Sequence, residues 1–284
     1  MVISRTITAL ITAILALFSS FLPIDLIENK RVDMSQLELT WADEFEGNTI
    51  DTTKWTGCHH KAGESLIRKG GWWNMDMASV QDGALHISTK YFPDGYQNNG
   101  KAGWYSTALY TKGLFEQKEG YFEIRCILPE GNGMWSAFWL NCDGMNNVGN
   151  GGTDGAEIDI FESAYYDSTL KNRVSSNIHY DGYFEDIKSE NVTAPLIIAN
   201  DPYKEYNTYG LEWNENEYIF YINGIETGRT SFGGTSQVAE YVILSVEVGG
   251  EMGTAKDNWA GTALSPDFIP TDFIVDYVRV YQYK

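Results

Sequence analysis

The stretch Gly155-Ala-Glu-Ile-Asp-Ile-Phe-Glu-Ser163 decides how the chain is read. Its apolar residues, Ile158, Ile160 and Phe161, are β-branched or aromatic, so the run is predicted to be a strand. Alternation puts Glu157 and Asp159 on one face and Ile158 and Ile160 on the other. Glu162, five residues after Glu157, falls by the same count on the apolar face, where a lone carboxylate is strongly disfavoured. One extra residue in a β-bulge near Phe161 returns it to the carboxylate face, and bulges are common beside active sites.

With the bulge, Glu157 and Glu162 are four strand steps apart, roughly 13 Å between Cα atoms, and two Glu side chains leaning together close most of that gap. Retaining glycosidases use two carboxyl groups about 5–5.5 Å apart, one as nucleophile and one as general acid/base. Asp159, between them, could hydrogen-bond the nucleophile and shape a coupled titration. An exposed strand with solvated acids is the ordinary alternative. Three acids crowded onto one strand, at the expense of mutual repulsion and a bulge, favour the catalytic reading.

The composition agrees with a strand-rich protein that binds a ligand at its surface. Of 284 residues 14% are aromatic, including 18 Tyr and 9 Trp, whereas Pro is scarce at 7. The net charge of −19 repels nucleic acid and favours a neutral partner. Cys58, Cys126 and Cys142 have no zinc-binding spacing and allow at most one disulfide, and Cys126 is read as buried and inert. Arg5 followed by the apolar run 7–22 and Pro23 reads as a secretory signal peptide, or alternatively an uncleaved membrane anchor, within an N-terminal segment 1–30. Residues 24–36 read as a linker.

From residue 37 the chain reads as short strands separated by turns: 37–41, 80–89, 121–128, 134–140, 174–180, 206–213, 218–222, 225–229, 241–248 and 273–283. Asp82-Gly83 and Asn223-Gly224 are hairpin signals. Many short strands in one unit, 37–284, predict an all-β fold, a two-sheet antiparallel β-sandwich. Sugar rings stack on aromatic rings, so exposed Trp residues beside the acids are candidate binding groups. Trp135 and Trp139 share a strand face, Trp72 and Trp73 are adjacent and must diverge, and Trp104 and Trp259 lie in Gly-rich surroundings. His179 shares a face with Asn177.

Taken together, these stretches resemble glycoside hydrolase family 16, the laminarinase and lichenase group, over roughly residues 37–284. Glu157-Ile-Asp-Ile-Phe-Glu162 is similar to the family's longer Glu-x-Asp-x-x-Glu signature. Trp41-Ala-Asp-Glu-Phe45, Phe122-Glu-Ile-Arg125, Trp135-Ser-Ala-Phe-Trp139 and Asp276-Tyr-Val-Arg-Val-Tyr281 support it in order. The resemblance implies a jelly roll with a concave substrate cleft. It also implies a retaining mechanism with Glu157 as nucleophile, Asp159 as its auxiliary and Glu162 as acid/base, with no catalytic cofactor. The expected activity is that of a secreted, monomeric endo-β-glucanase cutting 1,3- or mixed 1,3-1,4-linkages. An agarase- or carrageenase-type galactan hydrolase and a non-catalytic glucan-binding domain are the alternatives. Gly71-Trp-Trp-Asn-Met-Asp76 resembles a laminarinase stretch lining the glycone side, which points to Trp72 and Asn74. The binding candidates are therefore Trp72, Asn74, Trp135, Trp139, His179 and Trp259. The family's structural Ca²⁺ site maps onto Glu44 and Gly83 through backbone carbonyls and Asp276 through its carboxylate. The chain departs from the pattern at Ser106-Thr-Ala108, where many laminarinases carry Ser-Gly-Arg.

Overall fold

The computed structural model describes residues 31–164, 166, 173–197 and 200–284. The apolar segment 7–22 and the first part of the linker lie outside the described residues. The alternating runs form two antiparallel sheets. One has eight strands: β17 (Ile225–Thr230), β16 (Tyr218–Ile222), β15 (Asn207–Trp213), β10 (Gly120–Ile127), β19 (Phe273–Tyr283), β6 (Ala84–Ile87) and β5 (Ala78–Gln81) in that order, with β1 (Leu37–Asp43) also paired to β19. The other has seven, in the order β14 (Lys188–Ile197), β13 (Arg173–Tyr180), β12 (Glu157–Ser163), β11 (Met134–Asn141), β18 (Tyr241–Val248), β9 (Ala108–Tyr110) and β2 (Thr56–Gly57). Phe138, Ile158, Ile160 and Phe161 of the second sheet join Phe122, Ile124, Leu211 and Val278 of the first in one buried cluster. Burial of each such side chain stabilises the sandwich by about 1.5–3 kcal/mol. Both hairpin signals form tight turns in the left-handed region that Asn, Asp and Gly tolerate: Asn223 and Gly224 at φ 51° and 73°, Asp82 and Gly83 at φ 53° and 76°.

A third, four-stranded sheet was not legible in the sequence. It runs β3 (Leu66–Arg68), β4 (Gly71–Trp73), β8 (Gly103–Ser106) and β7 (Lys90–Phe92), with β4 and β8 parallel. Strands of three or four residues are too short for alternation to stand out. This sheet contributes Arg68 and Trp73 to the side of the cleft described below.

The bulge in β12 is present. Phe161 faces Phe138 of β11 and Asp159 faces Trp139, so Ile160 has no partner there. The ladder with β13 slips over the same residues, between Asp159 and Glu162. Ile160 and Phe161 both enter the core. Glu162 is thereby returned to the face that carries Glu157 and Asp159.

The Trp41-to-Phe45 stretch has a structural use. Asp43 accepts a hydrogen bond from the indole of fully buried Trp55 at 2.8 Å and another from the Phe45 amide at 3.1 Å. The second bond closes a turn in which Phe45 takes φ 48°. Asp43→Ala leaves two buried donors unpaired and is expected to lower unfolding free energy by about 2–4 kcal/mol. Urea melts of the two proteins measure it, and a change below about 0.5 kcal/mol would remove this role.

Candidate active site

The seven-stranded sheet carries a cleft of about 560 Å³ on its face away from the core, and Glu157, Asp159 and Glu162 all line it. Strand register sets out its floor. Glu157, His179 and Ser189 follow one another across β12, β13 and β14, with Asn141 of β11 hydrogen-bonded to Glu157, and Trp139, Asp159, Asn177 and Asn191 form the next row. Glu162 lies between Ala137 and Ser175.

Each carboxylate is held differently. Glu157 accepts through Oε2 from the Tyr183 hydroxyl at 2.5 Å and from Asn141 Nδ2 at 3.2 Å. Asn141 also donates to the Tyr183 oxygen at 2.6 Å. Oε1 of Glu157 is left without a hydrogen bond from the described residues. Glu162 accepts from the Trp135 indole at 2.9 Å on Oε1 and from Asn177 Nδ2 at 2.7 Å on Oε2. Asn177 is in turn oriented by Asn191 at 2.7 Å. Asp159 is 3% exposed. Its Oδ2 lies 3.2 Å from His179 Nε2.

Burial pushes the Asp159 carboxyl well above the usual range, with the Glu157 charge adding to it. Glu162 is raised well above its usual value for the same first reason, reinforced by Asp159 and Glu157, and its bond to Trp135 only partly opposes this. Both shifts favour the protonated forms of Asp159 and Glu162, while the second oxygen of Glu157 is free to meet an electrophile. One side-chain ligand atom from each of Glu157, Asp159 and His179 also lies within 4.8 Å of the other two.

Trp135 and Trp139 line the cleft, and the Trp139 indole donates to Ser245 Oγ at 3.0 Å. Trp259, 43% exposed, meets Trp135 edge-on with ring centroids 5.0 Å apart. His179 is in the acid row, held by Ser189 at 2.6 Å. Three Trp and Asn candidates are placed elsewhere. Trp72 packs with Met77 and Tyr105 in a separate cluster, and its neighbour Trp73 lines the cleft in its place. Strand alternation separates the two, and the sequence alone did not say which side was which. Asn74 is fully buried, where it caps the short 3₁₀ turn Met75–Met77 by accepting from the Asp76 amide. Trp104 is buried against the core, and its indole donates to the Leu264 carbonyl.

Of the implied calcium ligands, Glu44 and Gly83 would offer backbone carbonyls and Asp276 alone a carboxylate. Asp276 accepts at 2.5 Å from the Arg125 guanidinium, so the one carboxylate ligand is already neutralised by a fixed cation. The Glu44 side chain is forked by Arg279 at 2.8 and 2.9 Å, and Gly83 sits in a hairpin turn. The three cysteines are buried free thiols, and burial pushes Cys58 and Cys142 up to about 12.

Sequence reading missed Tyr183, Asn141, Arg68 and Glu247, which also line the cleft. It also missed Glu240, which is fully buried behind the start of β12 and accepts from the Ala156 amide at 3.1 Å. Burial pushes Glu240 up to about 8, hydrogen bonds pull it back, and the Glu157 charge adds to the rise. A raised carboxyl is protonated in the folded chain where the unfolded chain has already lost the proton. Stability contributed at low pH is therefore lost as pH rises from about 4.5 towards 8. Glu240→Gln keeps the amide acceptor without the titration. The variant should gain stability relative to the parent over that window, and thermal melts at stepped pH would refute this by showing a constant difference.

A family model described as beta-porphyranase A–D, GH16 domain, matches residues 36–283. The chain is 27% identical over 274 residues to glucan endo-1,3-beta-glucosidase A1 of Niallia circulans, covering 87% of this chain and 38% of that protein. It is 24% identical to the beta-glucanase of Rhodothermus marinus, covering 87% and 85% of the two chains. A solved structure of SCLam, titled a non-specific endo-beta-1,3(4)-glucanase, is 26% identical with a TM-score of 0.66 over 88% of this chain and 92% of that one. The chain thus spans well under half the length of the first of these relatives.

Proposed function

Since the chain belongs to glycoside hydrolase family 16, we propose that it is a secreted retaining endo-hydrolase of neutral β-glucans with 1,3- or mixed 1,3-1,4-linkages. The observation that carries the reading is the asymmetry between the two glutamates. Glu157 is held by two donors on one oxygen and has the other free, as a nucleophile needs. Glu162 is half-buried beside Asp159, and desolvation raises its carboxyl well above the usual range, which favours the protonated form a general acid needs. In the first step Glu157 Oε1 attacks the anomeric carbon and Glu162 gives its proton to the leaving oxygen. In the second, ionised Glu162 takes a proton from water, which attacks the same carbon and releases Glu157. The Trp135 and Asn177 donors stabilise Glu162 during the interval in which it is charged. Asp159 shares the proton of the pair and tunes its titration.

Neutral substrate is favoured because the cleft's cations are already compensated. Arg68 is bonded to Glu247 at 2.6 Å and Lys69 lies 4.0 Å from Glu251. The glucan linkages are those named for two of the relatives above. Export is supported by the apolar run 7–22. A second reading, a porphyran-type galactan hydrolase, is favoured by the description of the matching family model.

A reducing-sugar assay on laminarin, mixed-linkage glucan, agarose and porphyran separates the two, with turnover expected on the first pair. Turnover confined to the galactans would replace the glucan reading. With an activated aryl glycoside, Glu157→Ala plus azide should give the inverted α-glycosyl azide and Glu162→Ala plus azide the retained β-azide. Swapped anomers in the NMR spectra would reverse the two roles. The alkaline limb of the kcat/KM profile should lie well above pH 4.5, because Glu162 must keep its proton.

A further inference from the structure

Beyond the catalytic row, β18 and the small sheet place a second polar group in the cleft. Glu247 is directly opposite Trp135 in the β11–β18 ladder, two strands from the catalytic strand, or about 10 Å. It is 5% exposed, and Oε1 accepts from Arg68 Nε at 2.6 Å while Oε2 has no partner. A residue kept only for packing would avoid an unpaired buried oxygen. The Arg68 side chain is 40% exposed, its guanidinium carbon lies 4.9 Å from the Trp73 ring centre, and its terminal amino groups donate to none of the described residues. The Trp73 ring is itself fixed, because its indole donates to the Val246 carbonyl at 2.9 Å. Arg68 is therefore held by Glu247 and Trp73, with its remaining donors in the cleft.

We infer that Arg68 and Trp73 form a sugar subsite remote from the scissile bond, in which Arg68 donates to neighbouring free hydroxyls of a neutral ring and Glu247 is the positioning residue beneath it. A guanidinium presents its donors as a planar fork, which matches two adjacent oxygens. Glu247 compensates the charge, so the fork recognises hydroxyls and gives no net attraction to a sulphate or carboxylate substituent. The assignment rests on the glucan reading above and adds a residue that selects the ring.

The experiment measures binding of laminarihexaose by calorimetry in a Glu157→Gln background, together with turnover by the enzyme carrying Glu157. Arg68→Met should weaken binding about tenfold, the loss expected for a charge-assisted hydrogen bond, and in turnover the loss should appear in KM rather than kcat. Glu247→Leu should weaken binding to a similar extent by releasing Arg68. The double variant Arg68→Met/Glu247→Leu should be no weaker than either single one, as for two residues acting as a unit. It also leaves no unpaired buried charge, which keeps the test available where Glu247→Leu alone does not fold. Binding by Arg68→Met within twofold of its parent, or additive losses, would overturn the subsite while leaving the glucan reading in place. A larger loss on sulphated porphyran oligosaccharides than on laminarihexaose would overturn the neutral-ring assignment. Failure of the unsubstituted enzyme to bind or cut any neutral glucan would bring down the glucan reading, and this subsite with it.

Discussion

One extra residue in β12 governs the site. In a regular ladder, Glu162 would enter the core beside Phe161 and Phe138, where its desolvation would have no compensation. Ile160 absorbs the slip, enters the core itself and lets the strand present three carboxylates to one side. Those carboxylates then repel one another at close range in a partly dry cleft. The surrounding residues answer that repulsion in two ways. Desolvation and repulsion raise the Asp159 and Glu162 carboxyls and so favour their protonated forms, and donors from Tyr183, Asn141, Trp135 and Asn177 hold the Glu157 and Glu162 oxygens. The strain is local, and the sandwich around it is packed well enough to hold it.

The same bulge explains why the site could be read from sequence. Five residues between two glutamates conflict with strand alternation, and a conflict between local pattern and buried charge marks a functional position more reliably than the pattern alone. The sheets were legible for a simpler reason. Runs such as Tyr121 to Leu128 alternate, and Asn223-Gly224 and Asp82-Gly83 supply turns whose backbone few other residues adopt. Glu247 also left a trace, as the one acid in the run Tyr241–Val248, which apart from Ser245 is otherwise apolar, although only the register shows that it faces Trp135.

What could not be read depended on contacts between distant segments. Alternation says that Trp72 and Trp73 diverge, but which of them meets the cleft depends on how β4 seats against β8 and β18. Asn74 matches a glycone-side stretch in laminarinases, yet its buried amide is used to cap a 3₁₀ turn. Asp276 has the residue type of a calcium ligand, but Arg125 arrives from the neighbouring strand β10 and takes its carboxylate. Arg68 gave no signal, since a single arginine in a three-residue strand has no periodicity to stand against. In each case residue type was right for more than one use, and the partner that chose between them lay far along the chain.

Charge at two length scales then narrows what the cleft can accept. The chain as a whole carries −19, a field that hinders the approach of an anionic polymer, although salt screens it beyond about 8–10 Å. Inside the cleft screening is weaker and individual pairs decide. Lys69 stands 5.6 Å from the Trp135 ring centre and near Glu251, and Arg68 is tied to Glu247. Each cation already has a carboxylate partner, so neither presents an uncompensated charge to a substituent. Trp73, Trp135 and Trp139 are flat, weakly polar surfaces that suit the apolar face of a pyranose ring. Long-range repulsion, compensated cations and aromatic faces therefore act in the same direction, towards an uncharged glycan recognised by its hydroxyls and ring faces.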